Sequence, residues 1–218
     1  MNKIKLISLI ILTIVSHLSK AQTYSYNDIF KTNKVFFFGY DFTNFKLVES
    51  DRIGKDEKMQ TFIFEVIQIM NEGKTEKVYA RYLKKDTVEF VQNNVNQLNS
   101  KIPKESIIAT GVDIMGHSIP KDSLQAIINK YDTKGMSGVG FVQIIECFYK
   151  PKKTATIWYV FFDISSKKIL DAFETSNNDA DSYHGLSEYW AVGVGSGLGS
   201  YLSKHYYKAR KNFNKTSD

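Results

Sequence analysis

The sequence is poor in the residues that cross-link or interrupt a chain, with one cysteine and three prolines in 218 residues. A single cysteine, Cys147, excludes an intrachain disulfide, so an apolar core must supply the stability. Because Cys147 lies in an apolar run, we expect a small buried residue and not a reactive thiol. Few prolines, and no repeat or linker, favour one domain.

Long apolar runs are also missing, since crossing a bilayer takes about 20 apolar residues. The N-terminal run, residues 6–15, follows Lys3 and Lys5 and precedes the small residues Ser19 and Ala21. This three-part pattern predicts a cleavable signal peptide over residues 1–21. We therefore expect residues 22–218 to form an exported domain, periplasmic or extracellular, with no stable transmembrane anchor after cleavage.

A strong excess of charge is absent as well. The formal charge is +6, but three lysines and no acid lie in the predicted leader, which leaves 26 basic and 23 acidic residues, or +3. Together with export, this argues against a nucleic-acid partner. Basic residues collect near the C-terminus, where they either complement a helix dipole or form a site for an anionic surface: positions 204, 208, 210, 211 and 215.

No motif for a metal, a cofactor or a nucleophile is present. His117, His184 and His205 are spaced unlike any zinc motif, and GxSxG does not occur. The alternating glycines of residues 193–199 lack the third glycine of GxGxxG and the lysine of a phosphate loop. We expect neither cofactor nor metal, and the leading expectation is a protein without enzymatic activity.

Strand-forming residues, in contrast, are abundant. Residues 34–42 (KVFFFGYDF) predict a buried strand with a bulge at Gly39, and residues 87–91 predict a short strand. Residues 139–149, 155–163 and 168–173 predict an antiparallel meander. Both alternating sets of the middle strand are apolar, so both of its faces should be covered.

Helical patterns complete the predicted fold. Apolar residues recur with helical spacing over 56–72, between Asp56 and Gly73, and again over 120–131. A short, asparagine-weakened helix is predicted within 91–98, and a long one over 186–213. The predicted class is α+β: a mostly antiparallel, mixed five-stranded sheet in which the 34–42 strand joins the meander, with helices packed against it.

The last helix carries an unusual glycine pattern. In a helix each glycine costs about 0.8–1 kcal/mol relative to alanine, which close contact must offset. Glycines at i and i+4 would leave flat strips on the helix surface, which predict tight packing on the sheet or on another helix. A partner or self-association face and ligand contact are the alternatives. The residues concerned are Tyr189, Trp190, Gly193, Gly195, Gly197 and Gly199.

Three polar residues stand near predicted strand or helix ends: Asp41, Asp163 and His184. Asp41 within an apolar strand needs a partner, so it is either a hydrogen-bond acceptor after the bulge or a functional acid. Asp163 fits a turn that bonds its own backbone. His184 is either a surface or cap residue or a general base.

Several stretches resemble a family of uncharacterised exported proteins of the Gram-negative envelope. The resemblance covers residues 130–207 and is carried by YDTKG at 131–135, GVGFV at 138–142, WYVFFDI at 158–164, KKIL at 167–170 and YWA at 189–191. Residues 35–45 resemble that family's first strand. The loop before the last helix departs from the family, being rich in Asn and Asp where relatives tend to be rich in Gly. The resemblance implies no catalytic residue.

At the level of fold, the order of strand, helices and meander is similar to the TolB N-terminal domain and to curli-assembly lipoproteins. The leading expectation is an envelope accessory protein that acts by protein–protein contact, with an unknown envelope protein or with another copy of itself. The alternative is a small-ligand binder or hydrolase with a site near Asp41, Asp163 and His184.

Overall fold

The computed structural model describes residues 23–48, 59–72, 74–109, 117–177 and 186–217. The predicted signal peptide, Asp56, Gly73 and His184 lie outside them. The elements in chain order are α1 (Asp28–Lys31), β1 (Lys34–Asp41), β2 (Lys46–Val48), α2 (Met59–Asn71), α3 (Glu76–Leu83), β3 (Thr87–Phe90), α4 (Asn93–Asn99), α5 (Leu124–Ile128), β4 (Val139–Tyr149), β5 (Thr154–Asp163), β6 (Ile169–Asn177), α6 (Leu186–Tyr201) and α7 (Tyr207–Ser217). The predicted α+β class is confirmed.

The strands form one mixed sheet in the order β3-β1-β4-β5-β6, with β2 also paired to β4. The β4-β5-β6 meander is antiparallel, as predicted. β1 joins it as predicted, but runs parallel to β4 and to β3. The parallel direction follows from the helical crossovers that separate these strands along the chain.

Helices cover both faces of the sheet. The first core lies between the sheet and α2, α3 and α6, and the second core lies between the sheet and α4 and α5. Along β5, Ile157, Tyr159 and Phe161 enter the first core. The intervening Trp158, Val160 and Phe162 enter the second core. The prediction that both faces of this strand are covered is therefore confirmed.

The predicted bulge in β1 is present. The pairing register of β1 with β4 shifts between Phe37 and Gly39, and Gly39 has a φ of 96°. A Cβ at this position would lie 3.1 Å from the Gln92 Cγ. The backbone angle therefore favours glycine here, and the packing leaves little room for a side chain.

The helix predicted over 120–131 is shorter in the structure. A 3-10 turn, Lys121–Ser123, leads into α5, which ends at Ile128. The chain then turns so that Tyr131 enters the second core. α1, β2 and α3 were not predicted, because each is short; α3, for example, buries only Tyr79, Ala80 and Leu83.

The predicted long C-terminal helix is confirmed, with one irregular turn inside it. α6 passes through a π-helical turn, Leu202–Tyr206, into α7. In a regular helix, residues five apart point in different directions, but the wider turn brings Tyr201 and Tyr206 onto the same core, 0% and 1% exposed. Within the described residues, no helix combines the length and the apolar character needed to cross a membrane.

Candidate functional site

Asp41 closes β1 and is completely buried. Its Oδ1 accepts hydrogen bonds from the Thr43 backbone N–H at 2.7 Å and from the Thr43 hydroxyl at 2.6 Å. Its Oδ2 accepts the Tyr131 hydroxyl at 2.6 Å. Burial and the Asp41 carboxylate raise the pKa of Tyr131 well above its usual value, so this hydroxyl stays protonated and donates. Asp41 thus holds the turn after β1 and links it to the chain beyond α5.

Asp163 occupies a separate place. Its Oδ1 accepts the Ser165 backbone N–H at 3.1 Å and its Oδ2 accepts the Ser166 hydroxyl at 2.7 Å. It lies opposite Val139 on β4, whereas Asp41 lies opposite Ile144. Five residues of strand separate these positions, which corresponds to about 17 Å.

The structure therefore does not bring Asp41 and Asp163 together. β1 runs parallel to β4 and β5 runs antiparallel to it, so the carboxyl ends of β1 and β5 lie at opposite edges of the sheet. Strand direction is decided by connections far apart in sequence, which local patterns do not reveal. The third member of the predicted polar site, His184, lies outside the described residues.

The glycines of α6 face different surroundings. A Cβ at Gly197 would lie 2.7 Å from the Tyr159 Oη and 2.9 Å from the Ile157 Cδ1, so here the helix touches β5. Gly193 is also buried. A Cβ at Gly195 would meet only the Lys74 Nζ, at 3.4 Å, and one at Gly199 would meet nothing within 4 Å. Only some of the strip is therefore used for contact with the sheet.

The two aromatic residues predicted beside the glycines pack inward. The Trp190 indole is completely buried and stacks on Phe148, with ring centroids 4.5 Å apart. Tyr189 is half-buried and meets Trp190 edge-on at 4.7 Å. Most of the aromatic surplus is likewise used in the core. Among the described residues, the large hydrophobic side chains that are exposed are Tyr26, Phe64 and Tyr207.

β1 lies at the point where the helical connections between strands move from one face of the sheet to the other. The helices between β1 and β3, α2 and α3, cover the first core, and the helices between β3 and β4, α4 and α5, cover the second core. Ligands of α/β proteins often bind at the carboxyl ends of strands at such a point. Here the space is filled by Asn99, whose amide nitrogen donates to the Tyr40 carbonyl at 2.8 Å and whose oxygen accepts the Phe42 N–H at 2.9 Å.

An open cleft lies beside this filled point, at the carboxyl end of β1. We call it the β1 cleft; its volume is about 350 Å³. One wall is the segment that follows β1, and the opposite wall is the chain leading into and out of α5. Its lining residues are Thr43, Asn44, Phe45, Lys46, Ser106, His117, Ser118, Ile119, Pro120, Ser123, Ala126, Ile127 and Lys130.

The lining of the β1 cleft combines cations, hydroxyls and an apolar wall. The Lys46 ammonium donates to the Ser106 carbonyl at 2.6 Å, which holds it at one side. Lys130 is exposed, and buried Ile127 also belongs to the lining. Two carboxylates are bonded to lining residues: Asp41 accepts from Thr43, and Glu146 accepts the Ile119 N–H at 2.9 Å. The cleft therefore offers positive charge and hydrogen-bond donors.

His117 is the histidine that the structure places in the cleft. Its Nε2 lies 2.9 Å from the Asn44 carbonyl oxygen. Because a carbonyl only accepts, Nε2 carries the proton in this bond. His205 lies elsewhere and pairs with Asp171 at 2.7 Å. Sequence reasoning did not identify the cleft; a Thr-Asn turn directly after a buried strand was the pattern that could have indicated it.

The sequence also did not predict a pair of neighbouring carboxyl groups, Glu146 and Glu174. Glu146 on β4 is 2% exposed, and its Oε2 accepts the Trp158 indole N–H and the Ile119 N–H, both at 2.9 Å. Glu174 on β6 lies within hydrogen-bond reach of Glu146, and its pKa is raised by burial and then by the Glu146 charge. β5 separates the two strands, so no linear motif marks this pair. No group of three or more potential metal-ligating His, Cys, Asp or Glu residues occurs in the described part of the chain.

Comparison with protein-family models and with curated proteins assigns no function to this site. No protein-family model matches the chain, and no curated protein matches it.

Proposed function

We propose that this is an exported, non-enzymatic binding protein that holds a small organic acid in the β1 cleft. The observation that carries the proposal is the composition of the cleft: two lysines and several hydroxyls line it beside an apolar wall, and none of its lining residues is acidic. An anionic head group would be attracted to the lysines. A short apolar body would pack on Phe45, Ile119 and Ile127.

The size of the cleft supports a small ligand. A volume of about 350 Å³ lies at the lower end of the range that is typical of pockets for small molecules. Lys46 is held by the Ser106 carbonyl, so one cation is positioned before any ligand arrives. Such preorganisation lowers the entropy lost on binding.

The hydrogen bonds around the cleft support binding rather than catalysis. Both oxygens of Asp41 are used by Thr43 and Tyr131, so this carboxylate is engaged in holding the turn. The His117 Nε2 donates to the Asn44 carbonyl, so that nitrogen does not act as a base in this arrangement. The groups next to the cleft are therefore committed to its architecture.

Thermal unfolding with a panel of short-chain mono- and dicarboxylic acids tests the proposal. At least one acid should raise Tm in a concentration-dependent way, as expected for a ligand of the native state. Lys130→Met should weaken this effect about tenfold, because it removes one charge-assisted contact. Lys121→Met is the matched control, since Lys121 is exposed beside the cleft but does not line it. No shift with any acid, or equal loss in both variants, would contradict the proposal.

A second candidate function is contact with another envelope protein or with a second copy of the chain. The observation favouring it is Gly199, which is exposed on α6 and meets nothing within 4 Å. A glycine inside a helix lowers the stability of the helix, and no packing contact of Gly199 offsets this cost. Gly199→Lys should abolish self-association in sedimentation or capture from envelope extracts, whereas Thr216→Lys on α7 should not. A monomeric parent that captures nothing would rule this candidate out.

A further inference from the structure

A second concave surface lies at the opposite end of the sheet. We call it the cationic cleft; it has a volume of about 550 Å³ and lies between the end of α3 and one side of α7. Lys84 closes α3 in the left-handed conformation, with φ 52°. Its ammonium lies 5.8 Å from the Tyr207 ring centroid. The lining residues are Lys84, Tyr207, Arg210, Lys211, Asn214 and Lys215.

Positive charge is concentrated here without a carboxylate in the lining. A fifth cation, Lys85, lies beneath and is 8% exposed, with its ammonium donating to the carbonyls of Ile29 and Thr32. Burial first, and then the charge of Arg210, lower the pKa of Lys85 to about 8. The Arg210 charge therefore adds to the effect of burial on Lys85, and the charge of Asp86 partly offsets it.

Arg210 is held in place beside the cationic cleft. Its guanidinium hydrogen-bonds the Tyr206 hydroxyl, which in turn donates to the Leu83 carbonyl at 2.6 Å. The Arg210 Nη1 is buried and has no hydrogen-bond partner among the described residues. This nitrogen is covered by the protein itself, so a ligand in the cleft would meet the charge of the guanidinium and not this donor.

Complementing the helix dipoles explains only part of this arrangement. Lys215 lies in the last turn of α7, with Lys211 one turn before it, and Lys84 follows the end of α3, where cations are favourable. The dipole does not account for four cations that line one cleft with no acidic residue in its lining. This concentration of positive charge points to an anionic ligand.

We propose that the cationic cleft, with Lys84, Arg210, Lys211 and Lys215, binds a phosphate-bearing ligand. A phosphate group carries up to two charges and three acceptor oxygens, so it can bond several of these cations at once. The site is independent of the β1 cleft. It lies at the amino ends of the parallel strands, where Lys34 pairs with Thr87, and the β1 cleft lies at the carboxyl end.

Calorimetric titration with pyrophosphate tests the soluble form of the ligand, and flotation with phosphatidylglycerol vesicles tests a lipid headgroup. Phosphatidylcholine vesicles and citrate serve as reference ligands. The test variant is Lys84→Gln with Lys211→Gln. The control variant is Lys104→Gln with Lys134→Gln, which changes the net charge equally at exposed positions outside the cleft. Circular dichroism checks the fold of each protein.

We expect pyrophosphate or the anionic vesicles to bind the parent and the control alike. The test variant should bind about tenfold more weakly or worse, because two charge-assisted contacts are lost. Pyrophosphate binding alone identifies a soluble phosphate, and vesicle binding alone identifies a lipid headgroup. The proposal is overturned if neither binds, if citrate binds as tightly as the phosphate ligand, or if the two variants lose affinity equally.

Discussion

Asp41 shows how a buried carboxylate in an apolar strand is accommodated. Burying a polar group is costly unless it is hydrogen-bonded. Thr43 supplies two donors to Asp41 from its own turn, and Tyr131 supplies a third from 90 residues away. The residue therefore connects the β1 turn to the second core, which positions one wall of the β1 cleft.

Tyr131→Phe should destabilise the protein by about 1–3 kcal/mol, because it leaves a buried carboxylate oxygen without its donor while keeping the ring. Urea unfolding measures the effect. Tyr26→Phe provides the control, since Tyr26 is 41% exposed and its hydroxyl is open to water. Equal midpoints for Tyr131→Phe and the parent would mean that the Asp41–Tyr131 bond does not stabilise the fold.

Glu174 is expected to make stability depend on pH. Its pKa in the folded protein is raised by burial and by the Glu146 charge and hydrogen bond. The folded protein therefore holds this proton at pH values where the unfolded chain, with a glutamate pKa of about 4.3, has released it. The free energy of unfolding consequently falls as the pH rises from the unfolded to the folded pKa.

Glu174→Gln should remove this loss, because glutamine resembles the protonated side chain. The variant should unfold at a higher temperature than the parent at neutral pH, and the two should converge below about pH 4. Melting curves across this pH range test the expectation. The same substitution at exposed Glu188 should leave the pH profile unchanged, and a Glu174→Gln profile parallel to that of the parent would contradict the argument.

At the scale of the element, some glycines of α6 pack against the sheet and others do not. Gly197→Ala should destabilise by about 1–3 kcal/mol, because the added methyl would overlap Tyr159 and Ile157. Gly199→Ala should stabilise by about 0.5–1 kcal/mol, since it gains helix propensity in open space. Chemical unfolding of the two variants provides the comparison. The same sign for both would show that packing against β5 does not decide the outcome.

The final helix also shows a limit of predicting helices from apolar periodicity alone. A sequence pattern predicts helix without distinguishing an α turn from a π turn. The π turn, Leu202–Tyr206, lets Tyr201 and Tyr206 face the same core, with ring centroids 6.1 Å apart. Packing against the sheet determines where the π turn forms, and local helix propensity gives no information about that packing.

For the whole molecule, the N-terminal pattern predicts processing. Expression with its natural leader in a Gram-negative host should yield a mature protein that starts at Gln22, because small residues occupy the positions that the signal peptidase reads. Intact-mass measurement of the envelope fraction tests this. Ala21→Arg should block cleavage, whereas Lys20→Arg should not; a full-length, cytoplasmic product from the parent would contradict export.

The sequence by itself determined the classes of structure that depend on local pattern. Runs of β-branched and aromatic residues predicted β1 and the β4-β5-β6 meander, and helical patterns predicted α2 and the long final helix. The β5 pattern predicted cover on both faces. Gly39 marked the bulge in β1 because only glycine tolerates its backbone angle.

Only the tertiary structure decided which side chains meet. It placed Asp41 and Asp163 at opposite edges of the sheet, because strand direction depends on crossovers that span long stretches of chain. It brought Glu174 to Glu146 across β5, and Arg210 to Lys84 across two helices. These contacts join residues that are distant in sequence. They arise from packing of complete elements, so both clefts became visible only in the folded molecule.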